Sequence, residues 1–265
     1  MNLFSLFRKR NYIYFYHIVK PYTSSVIKRK SEYDNYDSLT SICDYFQIEQ
    51  YKKITVVASG PSATKLNLDD ETLYFCCNDS INIVDLKPHI YVVHDNFYLV
   101  KYLKSFKGTE KWKGTIFWIF NNNSQTNYIS FKKVYNYIIN KSRSKREFLI
   151  TNFNYCKNSE SLNAELVLTL QKEFDFTYKS INSGFNMLLI ASVLAFKANK
   201  PLEVYGFDMG EGGDQYYNKT AIIGKSIKGV ENKKIVSEFL RSLYLKEMKI
   251  NNQSNFMTFK SKHLD

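Results

Sequence analysis

Ile54-Thr55-Val56-Val57-Ala58, running directly into Ser59-Gly60-Pro61-Ser62, decides the fold. A short β-branched run with no polar alternation needs burial on both faces, and the Gly-Pro pair then turns the chain sharply, as a parallel strand does before a helix. Outward from it, residues 73–77 and 90–93 repeat the theme. Each is a brief apolar run followed by polar residues, Asn78-Asp79-Ser80 and His94-Asp95-Asn96. Residues 115–120 predict a fourth strand and 202–205 another, the latter leading into Gly206-Phe207-Asp208. Helices are predicted between and after them. Residues 184–196 are apolar at nearly every position, so this helix is buried on most sides, with Ser183 placed to cap it. A long helix is predicted over 230–248, and a shorter one over 36–46. Residues 130–170 have helical tendency, broken by the basic run Lys141–Arg146, a solvated loop where a lid would be inserted. The alternation predicts an α/β fold, a mostly parallel sheet with helices on both faces.

Composition supports one such domain. With 265 residues, 44% hydrophobic and 16% aromatic, and only 10 Gly and 4 Pro, the chain can bury a real core and is neither disordered nor of low complexity. Its net charge of +12 is uneven, because residues 1–30 hold seven Lys/Arg and no acid. Phe4, Phe7, Tyr12, Tyr14, Phe15, Tyr16 and Tyr22 interleave with those cations, a mixture suited to anionic headgroups and the acyl chains beneath them. A docking helix with its aromatics packed on the body and its charges solvated fits the same pattern. Residues 1–50 are therefore set apart as a basic aromatic extension, and 51–265 form the main domain. No zinc-finger spacing, helix-turn-helix pattern or RNA-binding signature supports nucleic acid as a partner. No apolar run reaches the ~20 residues of a membrane span, and the first arginines follow Leu3–Phe7 rather than preceding a long apolar stretch. The expected location is cytoplasmic, peripherally associated with the inner face of the membrane. Cys43, Cys76, Cys77 and Cys156 lack paired spacing, which favours reduced thiols over a disulfide framework or structural zinc.

Ligands of open parallel sheets bind beyond the carboxyl ends of the strands, near the point where strand order reverses. The residues delivered there are Ser59, Gly60 and Ser62, Asn78 and Asp79, His94 and Asp95, and Gly206 and Asp208. Gly60 allows close backbone approach to a phosphate or ribose, and Ser62 can cap the next helix. Asn182-Ser183-Gly184 offers a hydroxyl and a helix N-terminus to phosphate or to a nucleoside hydroxyl. Ordinary turn formation and capping account for the same residue types.

V-V-A-S-G-P-S, C-C-N-D, I-N-S-G-F-N-M and V-Y-G-F-D, in this order and spacing between about residues 54 and 240, resemble the bacterial sialyltransferases of glycosyltransferase family 42. They are also similar to the related motility-accessory-factor-like group, to which Lys87-Pro88-His89-Ile90-Tyr91-Val92-Val93-His94-Asp95 is the closer match. The family 42 resemblance implies a Rossmann-like sheet, a cytidine-monophosphate (CMP)-linked nonulosonic acid donor, a glycan or glycolipid acceptor under a lid, no catalytic metal and no cofactor. It implies that Ser59 stands where the family has an asparagine facing the donor phosphate, and that Gly60 and Ser62 match its turn. Asn78 matches a contact to donor hydroxyls with Asp79 beside it, and Ser183 and Gly184 match the pair holding cytidine. Tyr216 matches a tyrosine on the departing phosphate, and Gly206 and Asp208 match the G-x-D turn. Two positions depart from the pattern. Gly210 replaces a second phosphate-binding tyrosine, and the family's general-base histidine falls near Ala221 or Ile222.

An acceptor hydroxyl must lose its proton as the new bond forms, which a group of near-neutral pKa within hydrogen-bond reach does best. His94, backed by Asp95, is the candidate base, and Glu211 and Asp214 are its rivals. Tyr216 or Tyr217 could hydrogen-bond to the leaving phosphate. The expected activity is transfer of sialic acid or a related nonulosonic acid from a CMP-sugar to a cell-surface glycan: lipopolysaccharide, lipooligosaccharide or capsule. A Mg-dependent pyrophosphokinase-like diphosphotransferase, with Asp95 and Asp208 as metal candidates, and a non-catalytic nucleotide-binding protein are the alternatives. Homo-oligomerisation is left open by the sequence.

Overall fold

Eight strands form one sheet in the order β5-β4-β3-β2-β1-β6-β7-β8. They are β1 (Lys53–Val57), β2 (Thr72–Cys77), β3 (Ile90–Val93), β4 (Ile116–Phe120), β5 (Phe148–Thr151), β6 (Leu202–Tyr205), β7 (Ile250–Asn252) and β8 (Phe259–Lys260). The first seven are parallel, and β8 closes the far edge antiparallel to β7. This computed structural model describes residues 38–93, 115–120, 148–151, 162–179, 181–212 and 229–262. The helices within them are α1 (Leu39–Phe46), α2 (Leu162–Phe174), α3 (Ser183–Lys197) and α4 (Gly229–Leu245).

Register explains why the strand sequences are apolar throughout. Ile250, Leu202, Ile54 and Leu73 form one row across four strands, and Val204, Val56, Phe75, Ile90 and Ile116 form the next. Neighbours in a parallel register share a face, so these rows make a continuous apolar layer. Helix α3 covers it, and every residue of that helix from Ser183 to Ala195 is buried, as its uninterrupted apolar sequence predicts. The opposite face is buried too: Thr55, Val57, Cys76 and Tyr91 are each at most 1% exposed. Strand β1 therefore has no solvent side, which is the reason for its missing alternation.

Around α3 the other helices pack by their apolar stripes. Val236, Phe239, Leu240 and Leu243 are the buried positions of α4, spaced for one helical face. Phe239 meets Phe174, Phe176 and Phe185, with ring centroids 6.2, 4.8 and 5.8 Å away, joining α2, α3 and α4. Helix α1 begins with a reciprocal Ser38–Ser41 capping box. Its Leu39 N–H also donates to the Glu165 carboxylate of α2 at 2.6 Å. Leu39, Ile42, Phe46 and Ile48 lie in the main core, so the described part of the segment set apart at the amino end, 38–50, packs as part of the domain body. Residues 1–37, the membrane-facing expectation included, lie outside the described residues. No helix among the described residues is long and apolar enough to cross a membrane.

Two elements differ from expectation, and one expectation falls outside the described residues. Phe148–Thr151 is a strand inside the 130–170 stretch read as helical. Its four residues are too few to show a period, and pairing with β4 decides its conformation. The basic run Lys141–Arg146, the lid candidate, lies outside the described residues. Helix α4 stops at Leu245 rather than Met248, because Glu247 adopts a left-handed φ of 55° and Met248 N–H reaches back to Leu243 O. The short strands β7 and β8 come directly after it.

Candidate functional site

Parallel strands place all their carboxyl ends on one edge, and the chain order fixes where along that edge the strand order reverses. From β1 the chain builds outward through β2, β3, β4 and β5, then returns to add β6 on the other side of β1. The reversal point is thus the β1–β6 boundary, where ligand sites of such sheets form. Helix α3 ends at Lys197, where Asn199 (φ 50°) and Pro201 stop it, and β6 starts at Leu202. It must run antiparallel to the strands, with its N-terminus on the same carboxyl edge.

At the boundary the two turns are stitched together. Gly60 N–H donates to Gly206 O at 2.7 Å, continuing the β1–β6 ladder past the strand ends. The Asp208 carboxylate, 3% exposed, accepts from Ser62 N–H at 2.8 Å and from Ser62 Oγ at 2.6 Å. Ser62 Oγ in turn accepts from Gly206 N–H at 2.8 Å. Glycine is required at both turns. A Cβ on Gly60 would lie 2.3 Å from Asp208 Oδ2, and one on Gly206, at φ +70°, would lie 2.3 Å from Ala58 O.

The neighbouring tips are tied in as well. Ser59 Oγ accepts from Ser80 N–H at 3.0 Å and donates to Cys77 O at 3.3 Å, joining the end of β1 to the end of β2. Asn78 comes next, with a left-handed φ of 49° and its carbonyl held by the Tyr91 hydroxyl at 2.9 Å. Asn tolerates that conformation better than other side chains. Its own amide side chain is half-buried and takes no hydrogen-bond partner among the described residues. Asp79 is buried and accepts from Asn82 Nδ2 at 2.7 Å. The α3 N-terminus abuts the β6 turn, since a Cβ on Gly184 would come 3.2 Å from the Phe207 ring. Burial pushes the adjacent Cys77 thiol up, so it fills space beneath the tips as a neutral group.

The structure therefore brings Ser59, Gly60, Ser62, Asn78, Asp79, Asn182, Ser183, Gly184, Gly206 and Asp208 to one edge. It also sorts them. The Ser62 hydroxyl and both Asp208 oxygens are engaged with the chain itself, and the Ser59 hydroxyl both donates and accepts within it. The cap of α3 is Asn182, whose Oδ1 accepts from Phe185 N–H at 2.9 Å, and not Ser183, which is the first helical residue. The N–H groups of Ser183 and Gly184 precede the first hydrogen-bonded turn of α3. His94, Asp95 and Tyr216, and with them Asp214 and Tyr217, lie outside the described residues. Glu211 is described and pairs with Lys233 of α4 at 3.0 Å.

Sequence reasoning missed the loop after β7. Asn255 N–H donates to Asp208 Oδ1 at 2.6 Å, and Ser254 Oγ accepts from Phe207 N–H at 3.0 Å. Lys65 Nζ reaches Asn255 Oδ1 at 3.2 Å, placing a cation on this rim. The signal was the amide-rich Asn251-Asn252-Gln253-Ser254-Asn255, a loop composition directly after Ile250. One isoleucine is too little to announce a strand.

No protein-family model matches the chain, and no curated protein does. Among solved structures it is similar to one titled "Crystal structure of the sialyltransferase CST-II in complex with trisaccharide acceptor and CMP". The TM-score is 0.44 and the identity 16%, over 76% of this chain and 81% of that one.

Proposed function

We propose that the chain is a glycosyltransferase that moves sialic acid or a related nonulosonic acid from a CMP-linked donor to a cell-surface glycan acceptor. In this reading it works at the inner face of the membrane, with the basic aromatic residues 1–30 against anionic lipid. One observation carries it: four segments far apart in sequence, S-G-P-S, N-D, N-S-G and G-F-D, meet around the strand-order reversal. Gly60 lets the β1 and β6 turns close on each other, the α3 N-terminus carries the positive end of a helix dipole, which favours an anion, and Asn78 holds an amide with no hydrogen-bond partner among the described residues. A monophosphate fits such a site, being neutralised by N–H donors, a helix end and Lys65. Asp208, with three donors on its two oxygens, would have to give them up to ligate magnesium, which favours this reading over the diphosphotransferase.

In this reading His94, backed by Asp95, takes the acceptor proton, and Tyr216 hydrogen-bonds to the departing CMP phosphate. Thermal-shift titration with CMP, a CMP-linked nonulosonic acid and ATP, each with and without Mg2+, tests it. A rise in melting temperature with the cytidine ligands in EDTA is the expected result. Stabilisation by ATP with Mg2+ alone supports the diphosphotransferase instead, and no response to any of them sinks both.

A further inference from the structure

We propose that Asp208 is a positioning residue, the anchor that sets the β1 turn and the β7 loop at the height a nucleotide needs, and that it makes no ligand contact itself. The inference rests on the CMP reading and deepens it. Asp208 is buried, and among the described residues no cation pairs with it. Its charge is held by aimed N–H and O–H donors from two distant segments: Ser62 N–H and Oγ, 146 residues before it, and Asn255 N–H, 47 residues after it. Hydrogen bonds to an ionised acceptor are about twice as strong as neutral ones. This single carboxylate is therefore the buried charged tie among turns otherwise joined by the Gly60–Gly206 backbone bond and by the Ser62, Ser254 and Lys65 side chains.

The position of the carboxylate matters as much as its partners. Asp208 Oδ2 sits where a side chain on residue 60 would begin, 2.3 Å from the ideal Cβ point. Gly60 thus lets the anchor enter the space that a Cβ would fill, between the β1 turn and the β6 turn. Through Ser62 Oγ the anchor also fixes Gly206 N–H, so the β1 and β6 lips of the crevice share one reference point. A ligand contact by Asp208 would compete with all of this.

The test compares wild type, Asp208→Asn, Ser62→Ala and the double variant, each confirmed folded by near-UV circular dichroism. CMP affinity is read by calorimetry, and amide exchange is read at Ser62 and Asn255. Asp208→Asn replaces an acceptor with an NH2 group facing N–H donors, so CMP affinity is expected to fall roughly tenfold to a hundredfold. Exchange at both amides should rise together, and the double variant should bind CMP no worse than Asp208→Asn alone. Lost affinity with unchanged exchange at Asn255 and additive losses would make Asp208 a ligand contact and overturn the proposal. So would faster exchange with unchanged affinity, which leaves a purely architectural role. If Asp208→Asn does not fold, Ser62→Ala carries the test, and wild-type CMP affinity in that variant refutes the anchor. Wild-type protein that ignores CMP removes the nucleotide reading, a failure distinct from variants that bind as wild type does.

Discussion

Removing the titration of His89 should flatten the acid limb of the stability curve. This histidine immediately precedes β3 and lies among Phe46, Tyr51 and Tyr74, with ring centroids 6.2, 5.1 and 6.4 Å away. Its Nδ1 accepts from Tyr74 N–H at 3.0 Å, so Nδ1 is unprotonated and the Nε2 proton faces the Tyr51 hydroxyl at 3.1 Å. A second proton would set N–H against N–H, and burial already pushes the pKa from 6.5 down to about 4. Because the folded value lies below the unfolded one, the unfolded chain takes up the proton first on acidification. Stability is full above about pH 6.5 and is lost as pH falls toward 4. At about 1.4 kcal/mol per pH unit, the loss is of the order of 3 kcal/mol, a large part of the 5–15 kcal/mol of an ordinary domain. His89→Asn keeps an acceptor for Tyr74 N–H without the titration. Urea melts of both proteins at half-unit steps from pH 7.5 to 4 give the difference, in which the shared carboxylate titrations cancel. Parallel curves would refute the argument, since they would mean that folded His89 takes its proton as readily as the unfolded chain does.

Three further perturbations test the packing. Phe239→Ala, which removes the ring shared by α2, α3 and α4, should lower unfolding free energy by about 3–5 kcal/mol, read from denaturant midpoints. Gly206→Ala forces a Cβ to 2.3 Å from Ala58 O at φ +70° and should cost roughly 2–4 kcal/mol; a melting temperature equal to wild type would contradict the fit. Glu165→Ala leaves the first N–H of α1 and Lys197 without their shared partner, and should cost about 1–2 kcal/mol by chemical denaturation.

The sheet was legible because burial on both faces leaves its mark on composition: residues 54–58, 73–77, 90–93 and 202–205 fall within a residue of β1, β2, β3 and β6. Helix α3 was equally plain. What escaped were short strands at or next to the sheet edges, β5, β7 and β8, whose two to four residues are specified by their neighbours and not by any period of their own. The gathering of strand tips at one edge was legible, but not which of their side chains bond to one another. Serine and aspartate after a strand suggest ligand contact, whereas Ser62 and Asp208 satisfy each other across 146 residues of sequence. Such reciprocal satisfaction is a property of the folded topology, so the residue types alone leave it unannounced.

The strand order has a kinetic corollary. Ile54 pairs with Leu73 on one side and with Leu202 on the other, so one flank of β1 closes early and locally while the second waits for a partner about 150 residues downstream. Closure of that long loop is the slow, entropy-limited event in forming such a sheet. A chain emerging from the ribosome would carry an open β1 edge until β6 arrives, so the stitched β1–β6 turns should be among the last features it acquires.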